Sequence, residues 1–221
     1  EGGRVLFERE AYSVGGGFIE WLGQEPPQRP QPAYPYSTMR EFLEVMERTR
    51  FGLPEVMIAN ESSLTGLSAS AIGEKLEHVM RVMEDAVERG LETSGTLPGP
   101  LGLNRKAKAL FERYRQDPQM QDRPILALCA CAFAAAEENA SGHTIVTAPT
   151  AGGSGVVPAV LYVTKNLRPT AGVFRKALRE GLLAAALVGM LAKHNASVSG
   201  AEVGCQGEVG VASAMAAAFL A

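Results

Sequence analysis

Cysteine is scarce in this 221-residue chain, which has only Cys129, Cys131 and Cys205. Three thiols cannot form a disulfide framework, and an odd count is typical of a reducing compartment. The sequence begins at Glu1 with charged residues and shows no secretory signal. From these absences we expect a cytoplasmic protein.

Long apolar runs and basic clusters are also lacking. Gly, Lys, Glu or Pro breaks each apolar run before the ~18 residues that a membrane span requires. The 21 basic residues are scattered among 24 acidic ones, for a net charge of −3. We therefore expect neither nucleic acid nor a membrane as a partner. The apolar share of 46% is that of an ordinary globular protein.

A proline-rich stretch divides the chain. Residues 1–22 predict a strand and turn that include three consecutive glycines at 15–17, either a site of close backbone approach or a hinge. The prolines that follow predict an extended linker over 23–36. The strand-like stretch from Arg4 to Glu8 has no visible partner strand, and the sequence ends at Ala221 inside a helical pattern. We therefore expect a piece of a longer protein, or a chain that others complete.

Residues 37–221 predict an all-helical domain. Thr38 and Glu41 form a capping box at the start of its first helix. Apolar residues at three-four spacing predict a helix over 68–91, with Gly90 as its stop signal. The fold class is therefore mainly α, with glycine-rich loops between the helices.

The second half of this domain contains the loops of interest. A basic helix is predicted near 104–115. Asp122 and Pro124 then begin a helix that is apolar on nearly every side and is expected to be buried. A short apolar strand or extended run is predicted at 144–150, followed by a helix from about 155 and a helix capped by Thr170 that runs to about 192. Two glycine-rich loops are predicted at 147–155 and 195–210.

The cysteines differ in their surroundings. Cys129 and Cys131 point about 200° apart on a helix, so they cannot share a metal and are predicted to pack in the core. Cys205 lies in a glycine-rich segment before a probable helix amino terminus, where a thiolate is favoured. It is a buried structural thiol, a metal ligand or a nucleophile. His194, eleven residues upstream, is too loosely placed to define a catalytic dyad.

The histidines and the first glycine-rich loop leave alternatives open. His78 is expected at the surface, whereas His143 and His194 are surface or structural residues, or general bases. The sequence "TAPTAGGSG" offers the hydroxyls of Thr147, Thr150 and Ser154 and a run of backbone N–H groups. This loop is either a nest for an anionic group or a tight connector.

Four stretches together resemble the iron–sulfur-dependent L-serine dehydratases. They are "YSVGGGF" at 12–18, "LPGPL" at 97–101, "EENASG…IVTAPTAGGSGVVPAVL" at 137–161 and "NASVSGAEVGCQGEVGVASAMAAA" at 195–218. The resemblance implies a small α/β domain, of which residues 1–22 are the carboxyl-terminal remnant, followed by an all-helical catalytic domain with a [4Fe–4S] cluster. In some members the two domains are separate chains.

Cys205 matches the first of the three cysteine ligands that the resemblance implies. The other two lie in later motifs that this sequence does not contain, and the motif carrying the family's base is expected upstream of Glu1. By resemblance, L-serine loses water by α,β-elimination without pyridoxal phosphate, and an open iron acts as the Lewis acid. This chain alone is therefore expected to be incomplete and inactive.

The resemblance also places two segments near the cluster, the loop at 147–155 and the segment from Ser199 to Glu202. The hydroxyls and N–H groups of these segments are predicted to hold the serine carboxylate. These residues are Thr147, Thr150, Gly152, Gly153, Ser154, Ser199, Gly200 and Glu202. Expected partners are L-serine and the small α/β domain or subunit, in a homodimer or heterodimer. The alternative is a helical interaction or oligomerisation domain of the same fold without a cluster, with Cys205 merely buried.

Overall fold

The computed structural model describes residues 7–13, 19–23, 30–147, 149–167, 175–197 and 200–221. The predictions for Gly15 to Gly17, Thr170 and Ser199, and for the side chain of Glu202, lie outside the described residues. The chain is mainly helical, as predicted. Its elements are β1 (Ala11–Ser13), β2 (Ile19–Trp21), α1 (Met39–Thr49), α2 (Leu53–Thr65), α3 (Ala69–Glu92), α4 (Ala107–Gln116), α5 (Arg123–Ala140), α6 (Val156–Tyr162), a π-helical turn (Val163–Leu167), α7 (Arg175–Asn195) and α8 (Gly200–Leu220).

The amino-terminal strands form a small antiparallel hairpin in which Ala11 pairs with Trp21. The prediction of a strand from Arg4 to Glu8 is wrong where the structure describes it, because Phe7 and Glu8 are not in a strand. The paired residues flank the glycine run on both sides, so each strand finds its partner within the same short segment.

The end of the proline-rich linker is attached to the helical domain. The amide side chain of Asn60 in α2 accepts a hydrogen bond from Tyr34 N (2.7 Å) and donates one to Tyr34 O (2.9 Å). The predicted capping box of α1 is confirmed, since Thr38 Oγ1 accepts from Glu41 N and Glu41 Oε2 accepts from Thr38 N. The first helix is thereby held next to the linker.

Helix α3 is correctly predicted, but Gly90 does not stop it, because the helix continues to Glu92. Gly90 is buried, and a Cβ atom at this position would overlap the backbone of Ala134 in α5. The glycine therefore permits a close approach of α3 and α5. What the sequence presents as a stop signal is in fact a packing position.

Helix α5 is not buried on nearly every side, which corrects the sequence-based expectation. One stripe faces solvent, and its members are Ile125, Cys129, Phe133, Ala136 and Ala140. Cys131 lies on the buried side, and its burial raises the pKa of the thiol to about 12. The prediction that Cys129 packs in the core is wrong, because residues about 200° apart cannot both face one core.

Helices α7 and α8 pack against each other and close the main core, which includes Leu178, Leu182, Met215 and Phe219. The predicted loop at 195–210 is wrong over most of its length, because α8 begins at Gly200. Only Gly204 interrupts the helix, with φ 72° and ψ 172°. Glycine adopts this left-handed conformation without the steric cost that a side chain would impose.

Among the described residues, one helical window, Val203–Leu220, is long and apolar enough to cross a bilayer by length and composition. The sequence expectation that no apolar run reaches that length therefore needs correction. Ala212, Met215, Ala216 and Phe219 of this window are buried against the other helices. Length and composition alone do not establish a membrane span.

Candidate active site

The loop at residues 147–155, called the glycine loop below, links α5 to α6 and folds through short turns. Ser154 N donates to Ala151 O (3.2 Å), and Val156 N donates to Gly153 O (3.3 Å). Asn139 at the end of α5 donates to Ala151 O from its side chain (3.0 Å). The predicted run of free backbone N–H groups is therefore partly wrong, because the turns themselves use the N–H of Ser154 and the N–H that follows the loop. The predicted strand or extended run leading into the loop forms no strand at 144–147.

Two predicted hydroxyls of the glycine loop are buried without a hydrogen-bond partner among the described residues. They are Thr150 Oγ1 and Ser154 Oγ, and Ser154 is only 1% exposed. Leaving a buried hydroxyl unsatisfied costs about 1–3 kcal/mol. Thr147 is exposed, and Gly153 is buried beside Ser154. The two hydroxyls therefore have hydrogen-bonding capacity that the described residues do not use, and Thr147 is not buried with them.

The glycine loop meets α8 at Gly152. A Cβ atom at this position would lie 2.5 Å from Glu208 Oε2 and 3.0 Å from Oε1. Glycine at 152 therefore lets the Glu208 carboxylate rest directly on the loop backbone. This contact joins the glycine loop to α8 at Glu208, beyond the 199–202 segment that the resemblance placed near the cluster, and sequence reasoning did not single out Glu208.

Cys205 follows the break at Gly204 and begins the long continuous part of α8. Its side chain is exposed, so the prediction of a buried structural thiol is wrong. Residues three apart on a helix are neighbours on one face, which places Cys205 beside Glu208. Gly200, at the start of α8, precedes the same break.

The donor set at Cys205 fits a role as one cluster ligand. Its thiol is exposed, and a thiolate is the ligand that iron–sulfur clusters take. Within the described ranges, no three His, Cys, Asp or Glu side chains come together to hold a metal ion. A cluster at Cys205 would therefore need further ligands from outside this set, and Cys129 and Cys131 lie on a different helix, α5.

His143 is held by a buried ion cluster at the end of α5. Glu138, only 1% exposed, receives hydrogen bonds from Arg89 (3.0 Å) and Arg105 (2.9 Å), and its Oε2 lies 2.8 Å from His143 Nδ1. Burial alone would raise the pKa of Glu138, but these partners outweigh it and hold the pKa below its ordinary value. The cluster joins α3, α5 and the turn before α4.

The other histidines lie apart from this cluster. His78 is exposed on α3, which confirms the surface prediction. His194 is exposed in the last turn of α7. Of the three histidines, His143 is the one that the structure holds against a buried carboxylate.

Glu137, next to Glu138, caps a different helix. Its Oε1 accepts from the backbone N–H of Lys106 (2.6 Å) and of Ala107 (3.3 Å) at the start of α4. Lys106 itself provides no side-chain cap, so the cap comes from about 30 residues away. Negative charge at a helix amino terminus is stabilising. No local sequence signal could reveal this pairing.

Cavities elsewhere in the fold do not include the predicted site residues. One cavity of about 340 Å³ lies between α3, α6 and α7, and its walls include Glu77, Glu84 and Lys165. Lys165 pairs with Glu84 at 2.6 Å, and Glu77 pairs with Arg179. Both carboxylates of this cavity are therefore already paired, whereas Arg81 and Arg175 also line it.

Comparison with known proteins addresses the resemblance directly. The family model described as serine dehydratase alpha chain matches residues 48–221. The chain belongs to this family. It is 41% identical to L-serine dehydratase of Haemophilus influenzae over 98% of this chain and 48% of that protein. It is also 41% identical to L-serine dehydratase 2 of Escherichia coli, over 100% of this chain and 49% of that protein.

The same relation extends to L-serine dehydratase of Streptomyces coelicolor, which is 39% identical over 100% of this chain and 49% of that protein. This chain therefore spans about half the length of the relatives it matches. The family match includes the glycine loop, Cys205 and Glu208. The remaining half of the relatives' length has no counterpart in these 221 residues.

Proposed function

We propose that this chain is part of an enzyme that deaminates L-serine to pyruvate and ammonia by α,β-elimination. The observation that carries the proposal is the pair of unpartnered buried hydroxyls, Thr150 Oγ1 and Ser154 Oγ, on a loop that α8 contacts through Glu208. The names of the relatives supply the substrate. The chain by itself is proposed to be incomplete and inactive.

Cys205 is proposed as one of three thiolate ligands of a [4Fe–4S] cluster. When bound, the cluster supplies an open iron that acts as a Lewis acid on the substrate hydroxyl. The role of this chain is to present the thiolate at the break in α8 and to hold the carboxylate of serine. A neutral hydroxyl donates to a carboxylate oxygen, so Thr150 and Ser154 suit that role.

The small α/β domain or subunit is proposed as the partner that brings the base. The hairpin of β1 and β2 would belong to that domain, and a homodimer or heterodimer would complete the site. Pyridoxal phosphate is not part of this proposal, since the cluster would supply the electrophile.

A second candidate function rests on the exposed stripe of α5. Ile125 is 60% exposed and Phe133 is 40% exposed, on a helix otherwise packed in the core. Exposed apolar residues in one contiguous patch are typical of protein interaction surfaces. A helical interaction domain without a cluster would bind a partner through this stripe, and its glycine loop would bind no substrate.

Anaerobic cluster reconstitution separates the two candidates. We compare this chain with a version that spans the full length of the relatives, and measure iron, sulfide and pyruvate release from L-serine. The proposal expects a cluster and pyruvate in the long version and neither in this chain alone. A long version that binds no iron would leave the interaction domain as the better explanation.

Replacing Ser154 tests the proposal further, because we expect the substitution to affect stability and substrate binding in opposite directions. We expect Ser154→Ala to stabilise the substrate-free protein by about 1 kcal/mol, because it removes a buried hydroxyl without a partner. Such a gain raises Tm by roughly 2–4 °C in a domain of this size. The same change should raise KM for L-serine about tenfold or more in the long version, since one hydrogen bond to a carboxylate is lost.

Ser141→Ala is the matched control for Ser154→Ala. Ser141 Oγ donates to Glu137 O (2.8 Å) and accepts from Arg105 (2.6 Å), so its removal should lower Tm instead of raising it. Calorimetry and steady-state kinetics give the two readouts. A Ser154→Ala protein with unchanged KM would remove Ser154 from the carboxylate site.

A further inference from the structure

Glu208 sits where the two parts of the candidate site meet. It lies one helical turn after Cys205, and its carboxylate contacts the backbone of Gly152 in the glycine loop. The loop also holds Thr150 Oγ1 and Ser154 Oγ, both buried and unpartnered among the described residues. The anionic acceptor thus meets the loop at Gly152, two residues from Thr150 on one side and from Ser154 on the other.

The Glu208 carboxylate differs from the other carboxylates near the glycine loop. It is half-buried, and within the described part of the chain no hydrogen bond or ion pair involves it. The buried carboxylates Glu137 and Glu138, by contrast, bind backbone N–H groups and arginines. Carboxylates removed from water are normally paired, because an uncompensated charge loses its hydration energy. The Glu208 carboxylate therefore keeps hydrogen-bond acceptor capacity that no described residue uses.

An α-amino acid carries the complementary groups on one carbon atom. Its carboxylate accepts hydrogen bonds, which Thr150 and Ser154 can donate. Its ammonium group donates hydrogen bonds, for which Glu208 is the matching acceptor, and a charge-assisted bond is about twice as strong as a neutral one. We propose that Glu208 binds the α-ammonium group of the substrate beside these hydroxyls, and so selects α-amino acids over acids that lack the amino group.

This inference rests on the proposed function and makes Glu208 a specificity-determining residue. Glu208→Gln keeps the size of the side chain and its contact with Gly152 but removes the charge. Gly152→Ala keeps the charge but displaces the carboxylate, since the added Cβ atom would lie 2.5 Å from Oε2. Both substitutions therefore disturb the proposed ammonium contact, one by removing the charge and the other by moving the carboxylate.

The test uses the cluster-loaded, long version of the protein and two probes that cannot lose a β-hydroxyl, L-alanine and propionate. Calorimetry measures their affinities, and kinetics measure KM and kcat for L-serine. We expect the wild-type protein to prefer L-alanine over propionate. Glu208→Gln should weaken L-alanine binding by about ten- to a hundredfold and leave propionate unchanged. Gly152→Ala should show the same loss of preference.

Glu180→Gln is the control for the loss of one carboxylate. Glu180 on α7 pairs with Lys176 at 3.6 Å, and its side chain is 43% exposed, so both affinities should stay as in the wild type. Circular dichroism verifies that each variant is folded. The control and the two probes together distinguish loss of an ammonium contact from general damage, which would weaken both ligands equally.

Three results would overturn the inference. They are a wild-type protein with no preference for L-alanine, an unchanged preference in Glu208→Gln, and a fall in kcat with unchanged L-alanine affinity. The last result would assign Glu208 to proton transfer. A wild-type protein that releases no pyruvate from L-serine would instead refute the proposed function, so the two failures are distinct.

Discussion

Replacing Cys205 with serine in the long version of the protein is expected to abolish the release of pyruvate from L-serine. An alkoxide is a poor substitute for a thiolate on an iron–sulfur cluster, so the variant should retain little iron or sulfide. Loss of the Lewis acid removes several kcal/mol of transition-state stabilisation, and we expect turnover to fall at least about a thousandfold. Iron and sulfide analysis and a pyruvate assay measure the two effects.

Cys129→Ser is the control for this substitution. Cys129 is also an exposed thiol, but it lies on the solvent-facing stripe of α5, whereas Cys205 lies on α8. This variant should keep both its cluster and its turnover. Equal iron content in the Cys205→Ser protein and the wild type would show that Cys205 is not a ligand.

Replacing Glu138 with glutamine should cause a large loss of stability. Removing one partner from a buried ion pair leaves uncompensated charge, and Arg105 in this cluster is only 5% exposed. We expect the free energy of unfolding to fall by about 3 kcal/mol. This corresponds to a decrease in Tm of roughly 6–12 °C, measured by calorimetry at neutral pH.

The pH dependence gives this prediction a definite sign. The arginines and His143 hold the pKa of Glu138 below its ordinary value of 4.5. Its stabilising contribution is therefore complete above pH 4.5 and is lost as the pH falls through the lower pKa of the folded protein. The stability difference between wild type and Glu138→Gln should shrink over that acidic range.

Glu180→Gln again provides a comparison, because it breaks an exposed ion pair with Lys176, whose side chain is 78% exposed. Exposed pairs contribute about 0–1 kcal/mol, so this variant should melt close to the wild type. If Glu138→Gln also melts like the wild type, the buried cluster does not stabilise the fold. In that case its role would lie in holding His143.

Local sequence patterns predicted the structure correctly where the interacting residues lie within a few positions of one another in the chain. The capping box of Thr38 and Glu41 and the apolar periodicity of α3 concern neighbours on one helix. The same reasoning was wrong for Gly90, which resembles a stop signal but is a contact with Ala134 of α5. A glycine's effect depends on what faces it, and the facing residue is set by packing.

The candidate site divides in the same way. The sequence alone identified the motif around Cys205 and the hydroxyls of Thr150 and Ser154. A family resemblance depends only on which residues follow one another in the chain. The sequence did not reveal that these hydroxyls are buried or that Cys205 is exposed. It also did not reveal that Glu208 contacts the loop backbone at Gly152. Each depends on groups that lie far apart in the chain.

The sequence by itself determined the helical fold class, the family and the chemical types of the residues at the site. Only the tertiary structure decided which group each carboxylate meets. Glu137 and Glu138 meet their partners across about 30 to 50 residues of chain, and Glu208 meets the glycine loop across a similar distance. Helix periodicity specifies which face of a helix is apolar, but helix packing selects the side chain that opposes it. For this reason Glu138 pairs with arginines, whereas Glu208 rests on a loop backbone.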